Sequence, residues 1–189
     1  MSSFGLPGRS YEPDAEQTCN SLVTLAINSD PDNVEALECL ASVRMSQSKP
    51  DEAQQALEKA WNALKDLEPG IYYAIDSAPT FLKRASFRYT PDDPRMPPLS
   101  TRLSLTRRFL ELSLFSQTLL LIQGILALDD EEIDAWYLQG WCFFLMAQQV
   151  KETGQNIEGL GWAELAQDSR DCLEACRTVS LYLHIYLRR

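Results

Sequence analysis

One histidine, five cysteines and a run of four carboxylates are the residues from which this 189-residue chain would have to draw any chemistry. His184 stands alone near the chain end among apolar residues, with no nucleophile beside it, and reads as a packing or surface histidine rather than a general base. Cys19, Cys39, Cys142, Cys172 and Cys176 form no CxxC pair, and Cys172 and Cys176 lie one helical turn apart, which is not a structural-zinc spacing. They read as small buried thiols in a reducing compartment. The segment GQNIEGLG (154–161) holds three glycines but lacks the following Lys-Ser/Thr of a phosphate loop and does not leave a strand. Asp129-Asp130-Glu131-Glu132 lacks the glycine and the alternating ligands of a calcium loop. No catalytic set emerges, so the expectation is a protein that is not an enzyme and needs no cofactor or metal.

Recognition is the chemistry left. From 129 to 147 the chain reads DDEEIDAWYLQGWCFFLMA, four acids running into an apolar, aromatic segment. Asp129 or Asp130 is expected to cap a helix, with Glu131, Glu132 and Asp134 in its first turn, where negative charge meets the positive helix end. Trp136, Gly140 and Phe143 fall on one helical face, and Tyr137, Trp141 and Phe144 on an adjacent stripe. Large, small, large on one face predicts a second helix packed closely over Gly140. The neighbouring stripe then either packs under a loop or faces a ligand.

The net charge is −10, unevenly spread. Residues 1–70 carry 12 acids and 5 bases, 71–128 carry 4 and 7, and 129–189 carry 11 and 5. Such a chain disfavours nucleic acid and anionic lipid, and fits a basic partner. The N-terminus lacks a signal-peptide layout, and no apolar run approaches the roughly 20 residues of a bilayer span. The protein is expected to be soluble and intracellular, without direct contact to nucleic acid or membrane.

These residues need a helical frame. No stretch alternates with period two, and Leu, Ala, Glu and Gln dominate, so the fold class is all-α. Residues 1–13, rich in Gly and Pro, read as a flexible arm, and residues 14–189 as one domain. Asp14 to Asn28 is a predicted helix with Cys19, Leu22, Val23 and Ala26 as its apolar stripe. Val34 to Ser46 is the next, with Leu37, Leu40, Ala41 and Met45 inward. A third runs from Glu52 to about Leu67 and buries Ala53, Leu57, Ala60 and Leu64. A long proline-rich loop is expected at 70–98, with a short helix near Pro79 to Phe87. A further hairpin follows at about Ser100 to Leu112 and Ser116 to Leu128, and a last helix from Arg170 to about Leu187. The apolar terminus SLYLHIYLRR lacks the polar face that usually closes a helical array, so either more chain follows or the last helix tucks in.

Ala26 and Ala60 lie 34 residues apart, the period of a tetratricopeptide repeat. Leu37, Leu40, Ala41, Ala53, Leu57 and Ala60 fill that repeat's large and small sites. Arg44 and Lys65 depart from it. With Ile133 as first position, Trp136, Gly140 and Phe143 fill the first helix of another unit, and Ser169, Leu173 and Cys176 the second. Trp136 and Ser169 are 33 apart where Leu37 and Ala53 are 16 apart, so about 17 residues are inserted near 150–161. The architecture expected is a tetratricopeptide-like helical-repeat array, an α-α superhelix. Its groove would be lined by Glu35, Glu38, Ser42 and Met45 from one unit and Asp134, Tyr137, Trp141 and Phe144 from the other. Carboxylates at the rim and rings on the floor suit a basic, extended segment, because carboxylates pair Lys and Arg and ring faces accept cations. The positions that would hold Lys and Asn in a repeat that captures acidic chaperone tails hold Glu38, Ser42, Tyr137 and Trp141, which disfavours an anionic peptide.

Pro97, Pro98 and Arg102, then Asp129, Asp130, Asp134, Trp136, Tyr137, Leu138, Gly140 and Trp141, follow a Pro-Pro-x-x-x-Arg … Asp-x-Trp-Tyr-Leu-x-Gly-Trp pattern. In these residues the chain resembles the dedicated assembly chaperones of ribosomal protein L-4 of the large subunit, from about Asp14 to Tyr186. Cys172 and Cys176 depart from that family's Ala/Leu-rich last helix, and its acidic C-terminal tail is absent. The resemblance implies a monomeric, non-enzymatic chaperone. It would hold newly made L-4 by that protein's long basic internal loop and escort it from cytoplasm to nucleus. Glu35, Glu38, Glu131 and Asp134 would screen charge, and Tyr137, Trp141 and Phe144 would stack on the client. The competing expectation is a scaffold or adaptor subunit of a larger complex, docking through the apolar helix at 180–187.

Overall fold

The computed structural model describes residues 15–65, 67 and 95–186. Seven helices follow in order: α1 (Ala15–Ser29), α2 (Val34–Ser46), α3 (Pro50–Leu64), α4 (Leu99–Glu111), α5 (Phe115–Leu128), α6 (Ile133–Thr153) and α7 (Trp162–Tyr186). No strand occurs among the described residues, and none of these helices is long and apolar enough to cross a membrane. The expected arm at 1–13, most of the loop at 70–98 and the short helix at 79–87 lie outside the described residues.

Three hairpins, α2–α3, α4–α5 and α6–α7, are stacked so that α2 packs on α4 and α4 on α6. The first two turns close by the same device. Ser48 and Ser113 adopt left-handed backbone (φ 59° and 58°), and the next residue donates its N–H five residues back, Lys49 to Arg44 O at 2.9 Å and Leu114 to Phe109 O at 2.8 Å. That pairing satisfies carbonyls a helix end would otherwise leave open. Pro50 then opens α3 at a position where its missing N–H costs nothing.

The core falls into two clusters, to both of which α4 and α5 contribute. Leu37, Ala41, Ala53, Leu57, Ala60 and Leu64 are each at most 1% exposed, as the repeat pattern requires, while Leu40 and Met45 are partly buried beside them. α4 and α5 face both ways. Leu105, Phe109 and Leu121 join the α2–α3 core, and Leu103, Leu110, Leu119, Ile122 and Ile125 join that of α6–α7. Trp61 meets Phe109 edge to face at 6.1 Å across the first junction.

Four expectations need correcting. Only Val23 of the α1 stripe is buried, and Leu22 and Leu25 are 61% and 65% exposed, because among the described helices α1 packs on α2 alone. Cys19 and Cys39 are exposed, so the thiols are not uniformly buried. The last helix begins earlier than read from the sequence. α6 runs on to Thr153, where left-handed Gly154 ends it, and α7 begins at Trp162 rather than near Arg170. Leu165 and Ser169 supply the inward residues of the added turns. Between the helices, Ile157 and Leu160 exchange both backbone hydrogen bonds around Glu158 and Gly159, both at positive φ, as a type I′ turn demands. Finally, Glu132, not Asp129 or Asp130, caps α6, accepting from Asp134 N at 3.1 Å. Glu131 and Glu132 therefore precede the helix instead of forming its first turn.

Candidate partner-binding groove

The site is built on α6 and held from behind by α7. Gly140 is where the two helices approach. A Cβ there would lie 2.8 Å from Leu173 Cγ, 3.0 Å from Leu173 Cδ2 and 3.2 Å from the Ser169 carbonyl oxygen. Ser169 Oγ donates to the Gly140 carbonyl at 2.8 Å in a buried hydrogen bond. The small site read from the sequence is thus a real close approach, with Ser169 and Leu173 its partners. Trp136 fixes the entry to α6 by donating its indole N–H to the Asp130 carbonyl at 2.7 Å.

With α6 oriented this way, Tyr137, Trp141 and Phe144 face outward, 50%, 43% and 42% exposed. Trp141 and Phe144 are stacked, ring centres 5.3 Å apart and planes 26° from parallel. The Leu173 side chain covers Gly140 and remains 40% exposed. Sequence reasoning placed Leu173 inside. The cue that it was an edge residue was available in its size, too large to fit wholly beneath a helix at a glycine contact.

The acids are not equivalent. Asp134 stands at the head of the stripe, spaced three, seven and ten residues before Tyr137, Trp141 and Phe144. Arg107 of α4 pairs with it at 2.7 Å, both side chains about half exposed (48% and 54%). The Cys176 thiol of α7 is raised above its ordinary range, first by burial and then by the charge of Asp134. Glu38 is held elsewhere. It accepts from Ser104 Oγ at 2.6 Å and lies 3.7 Å from Arg108 Nε, with only 16% of its side chain exposed. Arg108 is itself bridged to Glu111 at 2.9 Å. Glu38 is therefore a strut between α2 and α4 and not the open rim carboxylate expected. Glu35 is exposed but lines a separate cleft of about 760 Å³ with Asp30, Asp32, Lys59, Arg95 and Pro98. Glu131 is exposed in the turn before α6, its N–H donating to Asp129 Oδ1 at 3.0 Å. The structure accordingly pairs Asp134 with the unforeseen Arg107, stacks Trp141 on Phe144 along the same face of α6 as Tyr137, and sets Glu35 and Glu38 apart. An exposed stack of rings beside a carboxylate binds by excluding water from apolar area and by accepting a cation on the ring face.

The chain is 34% identical over 138 residues to a probable assembly chaperone of rpl4 from Emericella nidulans, an alignment spanning 73% of this chain and 30% of that protein. To the probable assembly chaperone of rpl4 from Schizosaccharomyces pombe it is 32% identical over 147 residues, 78% of this chain and 38% of that one. It therefore spans about a third of the length of these curated relatives. Its fold matches a solved structure of an assembly chaperone of RpL4, residues 1–338, with a TM-score of 0.61 at 27% identity, over 77% of this chain and 44% of that chain. No protein-family model matches. In sequence and in fold, the chain is a relative of the assembly chaperones of rpl4.

Proposed function

We propose that this protein is a non-enzymatic chaperone of ribosome assembly that holds a newly made ribosomal protein L-4. It grips an extended basic segment of that client, its long internal loop, and escorts it through the cytoplasm to the nucleus. One observation carries the reading. A pre-stacked Trp141–Phe144 pair, with Tyr137 beside it, lies open on α6 next to a carboxylate, in a relative of rpl4 chaperones. Aromatic side chains left in water form a large apolar patch that a partner would cover. The net charge of −10 favours a cationic partner over the whole surface. Covering the basic segment would keep it from aggregating or binding nucleic acid before assembly.

Calorimetric titration of the chain with a synthetic peptide of the L-4 internal loop, repeated from low to high salt, tests this. Binding that weakens steadily as salt screens the charges is expected. Trp141→Ala should weaken it by about 1–3 kcal/mol, as a central interface aromatic does, while leaving the melting temperature near that of the unaltered chain. Absence of binding, or tight binding indifferent to salt, overturns the reading.

A scaffold subunit is the second reading, and exposed Leu181, Tyr182 and Ile185 of α7 favour it. Sedimentation of the purified chain separates the two. A monomer supports the chaperone, and an obligate oligomer supports the scaffold.

A further inference from the structure

The pairing pattern between α4 and its neighbours gives Glu38 and Asp134 different work. Glu38 has only 16% of its side chain exposed, accepts from Ser104 Oγ at 2.6 Å and faces the Arg108 guanidinium, so a client cation reaches it poorly and would have to displace a hydrogen bond. Among the described residues Asp134 pairs with Arg107, across a pair that is half exposed on both sides. Exposed pairs of this kind are weak and exchange readily. Asp134 also heads the ring stripe on α6, so whatever cation occupies it sits at one end of the exposed row of Tyr137, Trp141 and Phe144.

We infer that Arg107 is a built-in stand-in for the client, occupying Asp134 in the empty groove and giving it up when a client arginine or lysine arrives. This rests on the function proposed above and names the regulation of that same site. A lone cation gains little by replacing one that is already tethered. An extended segment that brings a cation and, next to it, a planar or apolar side chain to lay on Trp141 and Phe144 gains the ring contact as well. The stand-in therefore selects segments carrying both features over charge alone, and it keeps the carboxylate from sampling unrelated cations in the cell.

The test is a double-mutant cycle with the same loop peptide, read by calorimetry at low salt, on Arg107→Gln, Asp134→Asn and the pair together. An exposed ion pair of ordinary strength keeps its carboxylate occupied most of the time. Removing the competitor in Arg107→Gln should therefore tighten binding roughly two- to sixfold. In the Asp134→Asn background the same change should do nothing. A gain of similar size in both backgrounds would show Arg107 acting only as a distant like charge, and would overturn the exchange. So would weaker or unchanged binding by Arg107→Gln in a chain that keeps its helical circular dichroism. If the unaltered chain does not bind the peptide, the proposed function falls and this inference with it. If it binds but the cycle shows no coupling, the exchange alone is wrong.

Discussion

Adding one methyl group at Gly140 tests the geometry on which the whole groove depends. The new Cβ would stand 2.8 Å from Leu173 Cγ and 3.2 Å from the Ser169 carbonyl oxygen, against the 3.5–4.0 Å at which nonbonded carbons rest comfortably. About an ångström must be found on the Leu173 side. Leu173 can yield some of it by changing rotamer, since it is partly exposed, but the Ser169 backbone cannot without moving α7. Forcing a methyl into a filled contact costs typically 1–3 kcal/mol. Lengthening the Ser169–Gly140 hydrogen bond adds up to about 1 kcal/mol. Against this, alanine is better than glycine in a helix interior by about 1 kcal/mol. The terms sum to a net loss of about 0–3 kcal/mol, centred near 1.5 kcal/mol, which is roughly 3–6 °C in melting temperature for a chain of this size. Thermal unfolding followed by circular dichroism measures it directly. Combining Gly140→Ala with Leu173→Ala should remove most of the penalty relative to Leu173→Ala alone. A Gly140→Ala chain that melts at or above the temperature of the unaltered one would refute the close approach.

Other outcomes follow from the same packing. Ser169→Ala removes a buried donor from the Gly140 carbonyl and should cost about 1 kcal/mol, read as a fall of roughly 2–4 °C in melting temperature. In native protein at pH 8, maleimide should label Cys19 and Cys39 ahead of Cys142 and Cys172. The last two are buried, with thiols pushed up to about 12 by burial and then by a neighbouring charge, so they stay protonated; equal labelling rates would contradict that burial. Burial, then Asp171 and Glu164, raises the Asp168 carboxyl above its ordinary 3.8. The folded chain therefore keeps this proton to higher pH than the unfolded chain, and the cost of ionising it appears as pH rises through that window. Asp168→Asn should raise the melting temperature at pH 7 and make no difference near pH 3, where both states hold the proton. A gain that persists unchanged in acid would show that charge is not its origin.

Much of the frame was legible because its determinants are local. The spacing of Leu37, Ala41, Ala53, Leu57 and Ala60 predicts α2 and α3, and each of these side chains is at most 1% exposed. The placing of Trp136, Gly140, Phe143, Ser169 and Leu173 in one repeat unit predicts which residues meet across α6 and α7, and Gly140 does lie beneath Ser169 and Leu173. What failed was of two kinds. The start of α7 was placed near Arg170 rather than at Trp162, because the glycines at 154–161 mark the connection but not how soon after it the next helix begins. The α1 stripe was misjudged because amphipathic spacing says which side could be buried, not whether a neighbour is there to bury it.

The sequence by itself determined most of the helices and the shared face of Tyr137, Trp141 and Phe144, since these depend on residues a few positions apart on one helix or on a fixed period along the chain, whereas the exposure of that face was decided by what packs over it. Only the tertiary structure decided which carboxylates are free. Glu38 meets Arg108, and Asp134 meets Arg107, through contacts 70 and 27 residues apart in the chain. Charge has no periodicity that reveals its partner. A carboxylate on a helix face looks the same whether an arginine from the next hairpin reaches it or water does, and that choice is made when α4 packs between α2 and α6.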